Sequence, residues 1–184
     1  PYRPPSPYSE QYKDRPYDGE IAFADAQVGR LLQFLKEKQL YQNTLIVLSG
    51  DHGESLGEHG EETHGFFIYN STLHVPLIIH LPGRSSAQAI PDLANLADVM
   101  PTTLHVLKLG VPSQVQGKNL LDVLDKTSTN DSRDLYAESF LPRLHFNWSE
   151  LRGLETANYH YIDAPRPELY DLSKDPGETL NLFG

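Results

Sequence analysis

The sequence predicts an α/β protein: a largely parallel sheet flanked by helices, followed by a small C-terminal antiparallel β appendage. Two successions of pattern predict the first part. Ile21, Ala24, Val28, Leu31, Leu32 and Leu35 mark one face of a helix that leads into the nearly continuous apolar, β-branched stretch 44–49, TLIVLS. That is the pattern of a strand covered on both faces in a parallel sheet. The alternation returns after a polar interval, with an apolar strand in 75–83, VPLIIHLPG, and a helix from Asp98. The appendage is predicted by the tail, where 151–164 reads as two strands around Ala157-Asn158.

The opening, PYRPPSPYSEQYKDRPYDG, is rich in Pro and Tyr. Each proline restricts itself and the residue before it, so an extended lead-in is expected, with Tyr2, Tyr8, Tyr12 and Tyr17 packed against the domain. Asp18 is placed as the N-cap of the first helix, Lys36 and Lys38 suit its C-terminal dipole, and Gln42-Asn43 breaks it. Pro82-Gly83 closes the second strand, Pro101 falls in the first turn of the helix from Asp98, and Gly110 stops it. RDLYAES at 133–139 is a further strand, and ELYDLSKDPGETLNL wraps up behind the last two. The expected division is an α/β part over 1–140 and a small antiparallel subdomain over 141–184.

The 184 residues carry 25 Asp and Glu against 15 Lys and Arg, a formal charge of −10, which argues against a nucleic-acid partner. No apolar run approaches the ~20 residues of a bilayer span. The absence of cysteine removes disulfides, thiolate zinc sites and a Cys nucleophile together.

Chemistry is expected in 50–65, GDHGESLGEHGEETHG, which directly follows the first predicted strand. Ligands of open α/β sheets bind beyond the carboxyl ends of strands, and here three histidines and five carboxylates fall within sixteen residues. Asp51 and His52 offer one oxygen and one nitrogen donor, a pairing suited to a divalent cation. Adjacent residues of a strand point to opposite faces, so both reach one ion only if the chain turns there, which Gly50 and Gly53 permit. His59 has a structural and a functional reading, while Glu54, Glu58, Glu61 and Glu62 read as solvated loop charges or backbone acceptors. His74, His80, His105 and His160 read as structural histidines. Arg143, His145 and Trp148 in 141–150 read as surface residues ahead of any role at a rim.

GDHGESLGEHG with His64-Gly65 and HVPLIIHLPG resembles the second half of the sulfatase family, within the alkaline-phosphatase-like superfamily. DGEIAFADAQVGRLLQFLKE resembles the helix before that family's metal-binding strand. RGLETANYHYIDAPRPELYDLSKDPGETLNL resembles its C-terminal subdomain. The resemblance implies part of a sulfatase-like sandwich, and it makes Asp51 and His52 ligands of one catalytic divalent metal. Many sulfatases have Asp-Asn at this point, an all-oxygen pair suited to calcium; His52 shifts the expectation toward manganese or zinc with calcium still open. His64 falls where sulfatases often carry a lysine that contacts the sulfate, and is the expected catalytic residue. Phosphoethanolamine transferases carry a histidine after a similar DHGESLGE pattern, which leaves sulfate against phosphate open.

The family's nucleophile is a formylglycine made from Cys or Ser in Cys/Ser-x-Pro-x-Arg. This chain has no such pattern, so a formylglycine or a Ser/Thr nucleophile is expected on an N-terminal half of the same polypeptide. The expectation is a fragment of a sulfate monoester hydrolase, inactive alone, prone to self-association, and acting on a small-molecule or glycan sulfate ester. The alternatives are a phosphodiesterase, phosphonate hydrolase or phosphoethanolamine transferase, and a non-catalytic sulfatase-like binding module. Asn70-Ser71-Thr72, Asn130-Asp131-Ser132 and Asn147-Trp148-Ser149 fit glycosylation sequons. Such triplets also arise by chance; the acidic balance, with the habit of the family resembled, leans toward a periplasmic or extracellular location.

Overall fold

The structure, a computed structural model, describes residues 1–124 and 133–184; the sequon at Asn130 lies outside the described residues. The chain divides into two compact units, one of residues 1–46 and 80–86 and the other of residues 47–79 and 87–184. No helix among the described residues is long and apolar enough to cross a membrane.

In the first unit the lead-in is not wholly extended. Pro5 O accepts the Tyr8 N–H at 2.9 Å and opens a one-turn helix, α1 (Tyr8–Gln11). The long helix, α2 (Pro16–Glu37), starts two residues before the expected cap because Pro16 already has a helical φ and needs no N–H partner at that position. Asp18 therefore sits in the first turn, paired with Arg15 at 2.9 Å. The tyrosines pack as expected, Tyr2 edge-on to Tyr17 and Tyr8 edge-on to Phe23. Gly19 lets Pro4 of the lead-in approach α2 closely, since a Cβ there would meet Pro4 Cγ at 2.7 Å. Near the end of this unit the His80 ring stacks on Tyr41 at 4.2 Å, with Nε2 3.2 Å from the Tyr41 carbonyl oxygen.

β1 (Ile46–Ser49) pairs with β2 (Leu77–His80) in a two-stranded sheet. β1 is half-buried rather than covered on both faces, and among the described residues β2 is its one strand neighbour. After β1 come the site loop and α3 (Asn70–Leu73). A 3-10 turn over Leu96–Asp98, capped by Asn95, leads into α4 (Val99–Val106). Asp98 does not cap α4 with its side chain. It is fully buried and accepts from Arg133 at 2.5 and 2.7 Å and from the N–H groups of Asn95 and Lys118 at 2.7 Å each. Burial pushes this carboxyl up, but the guanidinium and the two amides outweigh it and hold the group below the usual carboxylate range.

After α5 (Leu121–Leu124) the chain builds a four-stranded antiparallel sheet in the order β3 (Leu135–Ser139), β4 (Leu151–Glu155), β5 (Tyr159–Asp163), β6 (Glu168–Asp171). The sheet joins residues on both sides of the division expected at 140/141. α6 (Leu141–Phe146) connects β3 to β4. Strands over 133–139 and either side of Ala157-Asn158 match the alternation; β6 in the tail had no alternation to mark it. The buried core is Ile68, Leu151, Ile162 and Tyr170, so a residue from the site loop packs directly on the sheet.

Two further ties fix that loop. Glu178, 2% exposed, pairs with His160 Nδ1 at 2.5 Å and accepts the Asn70 N–H at 2.6 Å. Ser139 Oγ donates to the Gly65 carbonyl at 2.8 Å. Gly153 leaves room for the first, since a Cβ there would lie 2.9 Å from His160 Nε2 and 3.0 Å from Ile68 Cδ1.

Candidate metal and anion site

The loop after β1 is folded by its own backbone. Ser49 Oγ donates to the Pro76 carbonyl at 2.8 Å, and the Gly53 N–H donates to the Thr72 carbonyl at 2.8 Å. A Cβ on Gly53 would sit 2.2 Å from Ser71 O, so only glycine lets the chain close on α3. Ser55 is buried, with its Oγ 3.0 Å from Ser71 Oγ and its N–H on the Thr63 carbonyl. Four residues at positive φ, Leu56, Gly57, His59 and Gly60, then reverse the chain. The buried Glu61 carboxylate accepts the Phe66 and Phe67 N–H groups at 2.8 and 3.1 Å, the backbone-acceptor role expected for it.

This folding brings Asp51, His52 and His64 together. The chain bends at 51–52, and Asp51 Oδ2 lies 3.9 Å from His52 Nε2. His52 Nδ1 is 2.8 Å from the Gly53 carbonyl oxygen. That carbonyl can only accept, so Nδ1 carries the proton and Nε2 presents its lone pair. The His64 ring lies against His52, with centroids 3.9 Å apart and planes at 31°. His64 Nδ1 in turn faces both oxygens of Glu54, at 3.2 and 3.3 Å. The Glu54 side chain is 7% exposed against 43% for His64, so a buried carboxylate holds an accessible imidazole from behind. The Nδ1–H donates to Glu54, and Nε2 is left to meet a ligand.

Glu54 is not a solvated loop charge. Nothing in a separation of ten residues within a glycine-rich loop marks it as the partner of His64; only the chain reversal at 56–60 places the two together. Glu58 and Glu62 are exposed. His59 stacks on Tyr69 at 3.7 Å and 14°. Tyr69 and Tyr170 both donate to Glu168, at 2.8 and 2.7 Å, and burial with that carboxylate pushes both phenols up. Asn70 Oδ1 is buried, whereas Asn147 is exposed, so the two described sequons differ in accessibility.

A divalent cation takes carboxylate oxygen and imidazole nitrogen at roughly 2.0–2.4 Å. Two donors 3.9 Å apart, one with its lone pair free, fit as two ligands of one such ion. Among the described residues no group of three His, Cys, Asp or Glu side chains is placed to hold a metal, and the Asp51 side chain is 93% exposed. The pair by itself would not complete a coordination shell.

The mixed α/β fold with its antiparallel C-terminal sheet is that of the alkaline-phosphatase-like superfamily, and the comparisons with known proteins name the family within it. Residues 2–109 match the Sulfatase family model and residues 57–184 match the N-sulphoglucosamine sulphohydrolase C-terminal model. The chain belongs to the sulfatase family. It is 30% identical over 180 residues to arylsulfatase K of Mus musculus, covering 90% of this chain and 32% of the relative. It is 31% identical over 183 residues to an N-acetylglucosamine-6-O-sulfatase of Bacteroides thetaiotaomicron, covering 95% and 32%. A protein solved in complex with its substrate D-glucosamine-2-N,6-O-disulfate superposes with TM-score 0.73 at 30% identity, covering 92% of this chain and 36% of that one. The chain thus spans about a third of the length of these relatives.

Proposed function

We propose that these residues form the metal- and leaving-group-facing part of a sulfatase that hydrolyses sulfate monoesters of small molecules or glycans, with a sulfated hexosamine as the favoured substrate. The observation that carries the reading is the convergence of Asp51, His52 and His64 on one side of a single loop, with Glu54 buried behind His64. The relatives' printed activities and the neighbour's sulfated glucosamine support the substrate class.

Asp51 and His52 would supply two ligands to one divalent cation; the mixed oxygen and nitrogen donors suit manganese or zinc, with calcium open. A bound cation would stabilise negative charge on the sulfuryl oxygens. Glu54 holds the proton of His64 on Nδ1, so Nε2, once protonated, donates to the ester's leaving oxygen. Nothing in these 184 residues matches Cys/Ser-x-Pro-x-Arg. On the formylglycine route the attacking group would be supplied from outside these residues, and the chain alone is not expected to turn over.

The test is kcat/KM of a full-length enzyme carrying these residues, measured with an aryl sulfate, glucosamine 6-sulfate and an aryl phosphodiester. Sulfate ester turnover should dominate, and His64→Ala should lower it by about 10²-fold or more. A dominant phosphodiester activity overturns the assignment.

A further inference from the structure

Two residues after His64 the chain enters an aromatic cluster that the loop's own folding does not require. Phe66 contacts Phe146 and Trp148 at centroid distances of 5.3 and 6.3 Å, and Phe146 and Trp148 lie 5.2 Å apart. Their planes are inclined by 34–47°, so no two rings stack face on face and the three form one contiguous cluster. Trp148 is 63% exposed and Phe146 49%. The backbone sets this arrangement. Ser139 holds the Gly65 carbonyl at 2.8 Å, and Asn147, at φ 55°, ends α6 and turns the Trp148 N–H back onto the Pro142 carbonyl at 3.2 Å. Two peptide steps span at most about 7 Å, so Phe66 starts within that distance of His64. At the rim Arg143 and Arg152 share the single Glu150 carboxylate, at 3.2 and 3.3 Å. Arg152 also has Glu138 and Asp163 as its cross-strand partners, so the rim carries charges of both signs.

We propose that Phe66, Phe146 and Trp148 are the subsite for the sugar ring of the sulfated substrate. The inference rests on the reading that His64 meets the sulfate group. Ring faces carry the negative side of an aromatic quadrupole, which suits the C–H face of a pyranose. The ring's hydroxyls then point to the rim, where the guanidinium of Arg143, exposed beside Glu150, offers N–H donors.

Trp148 is the only tryptophan of the chain, so its emission reports this patch directly. Glucosamine 6-sulfate titrated into the 184-residue chain should change that emission saturably, while sodium sulfate and butyl sulfate at the same concentrations leave it unchanged. All three should perturb the His64 imidazole resonances. Phe146→Ala should weaken glucosamine 6-sulfate by about three- to tenfold and leave the response of His64 to inorganic sulfate intact; Phe146→Leu, which keeps volume and removes the ring face, is the control for folding. If sulfate moves His64 but the sugar leaves Trp148 unmoved, the subsite is overturned and the His64 reading stands. If neither probe moves His64, that reading fails and takes the subsite with it. An equal Trp148 response to butyl sulfate, or emission that follows protein concentration and ignores the sugar, overturns the subsite in favour of a plain apolar patch or a contact between copies.

Discussion

His64 depends on Glu54 for its orientation, and the dependence is electrostatic as well as steric. A hydrogen bond to an ionised acceptor contributes about 1.5–3 kcal/mol, against about 0.5–1.5 for a neutral one. Glu54→Gln keeps the shape and removes the charge behind a half-exposed imidazole. We expect the wild-type His64 to show a single Nδ1–H tautomer in long-range ¹H–¹⁵N spectra and Glu54→Gln to show a mixture of tautomers. An unchanged single tautomer would separate the two residues. Asp51, His52 and His64 were legible in the sequence because their spacing after an apolar strand resembles a family pattern. Glu54 was not, since its role follows from positive-φ residues that bend the loop back on itself.

Between elements, two buried ion pairs decide which segments stay together. Asp98 joins the start of α4 to Arg133, just before β3. Arg133→Ala leaves a buried charge with two amide donors and no counter-ion, and should lower stability by about 3–5 kcal/mol, measured by chemical denaturation. Because the folded Asp98 is held below its unfolded value, its contribution is complete above about pH 4 and is lost as pH falls through the folded-state pKa. The melting temperature of the wild type should therefore drop on acidification below that point. In Arg133→Ala only the Asn95 and Lys118 amides still oppose burial, so the acid limb should flatten. The second pair, His160 with Glu178, holds the site loop's Asn70 N–H to the C-terminal segment. Gly153→Ala would push a Cβ against His160 and Ile68; overpacking of this kind costs about 1–3 kcal/mol. A Gly153→Ala melting curve that overlays the wild type would show that the register of β4 against β5 has slack there.

Across the whole molecule, the buried apolar core among the described residues is small: Ile68, Leu151, Ile162 and Tyr170. Large apolar side chains stand exposed on α2 at Ile21, Leu31 and Phe34, and further along at Met100, Leu107 and Leu109. Surfaces of this kind drive association. The isolated 184-residue chain should self-associate, with a weight-average mass in sedimentation equilibrium that rises with concentration. A monodisperse monomer at all concentrations would contradict this.

The sequence by itself determined the α/β class, the long helix, the apolar strands and the pair around Ala157-Asn158, because hydrophobic periodicity is a local property that 3.6-residue and 2-residue repeats display in any window. It also determined the sulfatase resemblance, carried by 50–65 and the tail. The tertiary structure alone decided that β6 completes the last sheet, that Asp98 answers Arg133 instead of capping its helix, that Glu54 stands behind His64, and that Phe66 meets Phe146 and Trp148. Each of these joins residues through a turn or a strand pairing whose geometry is set by backbone hydrogen bonds and packing, and no repeat in the chain records which distant partner such a contact will choose.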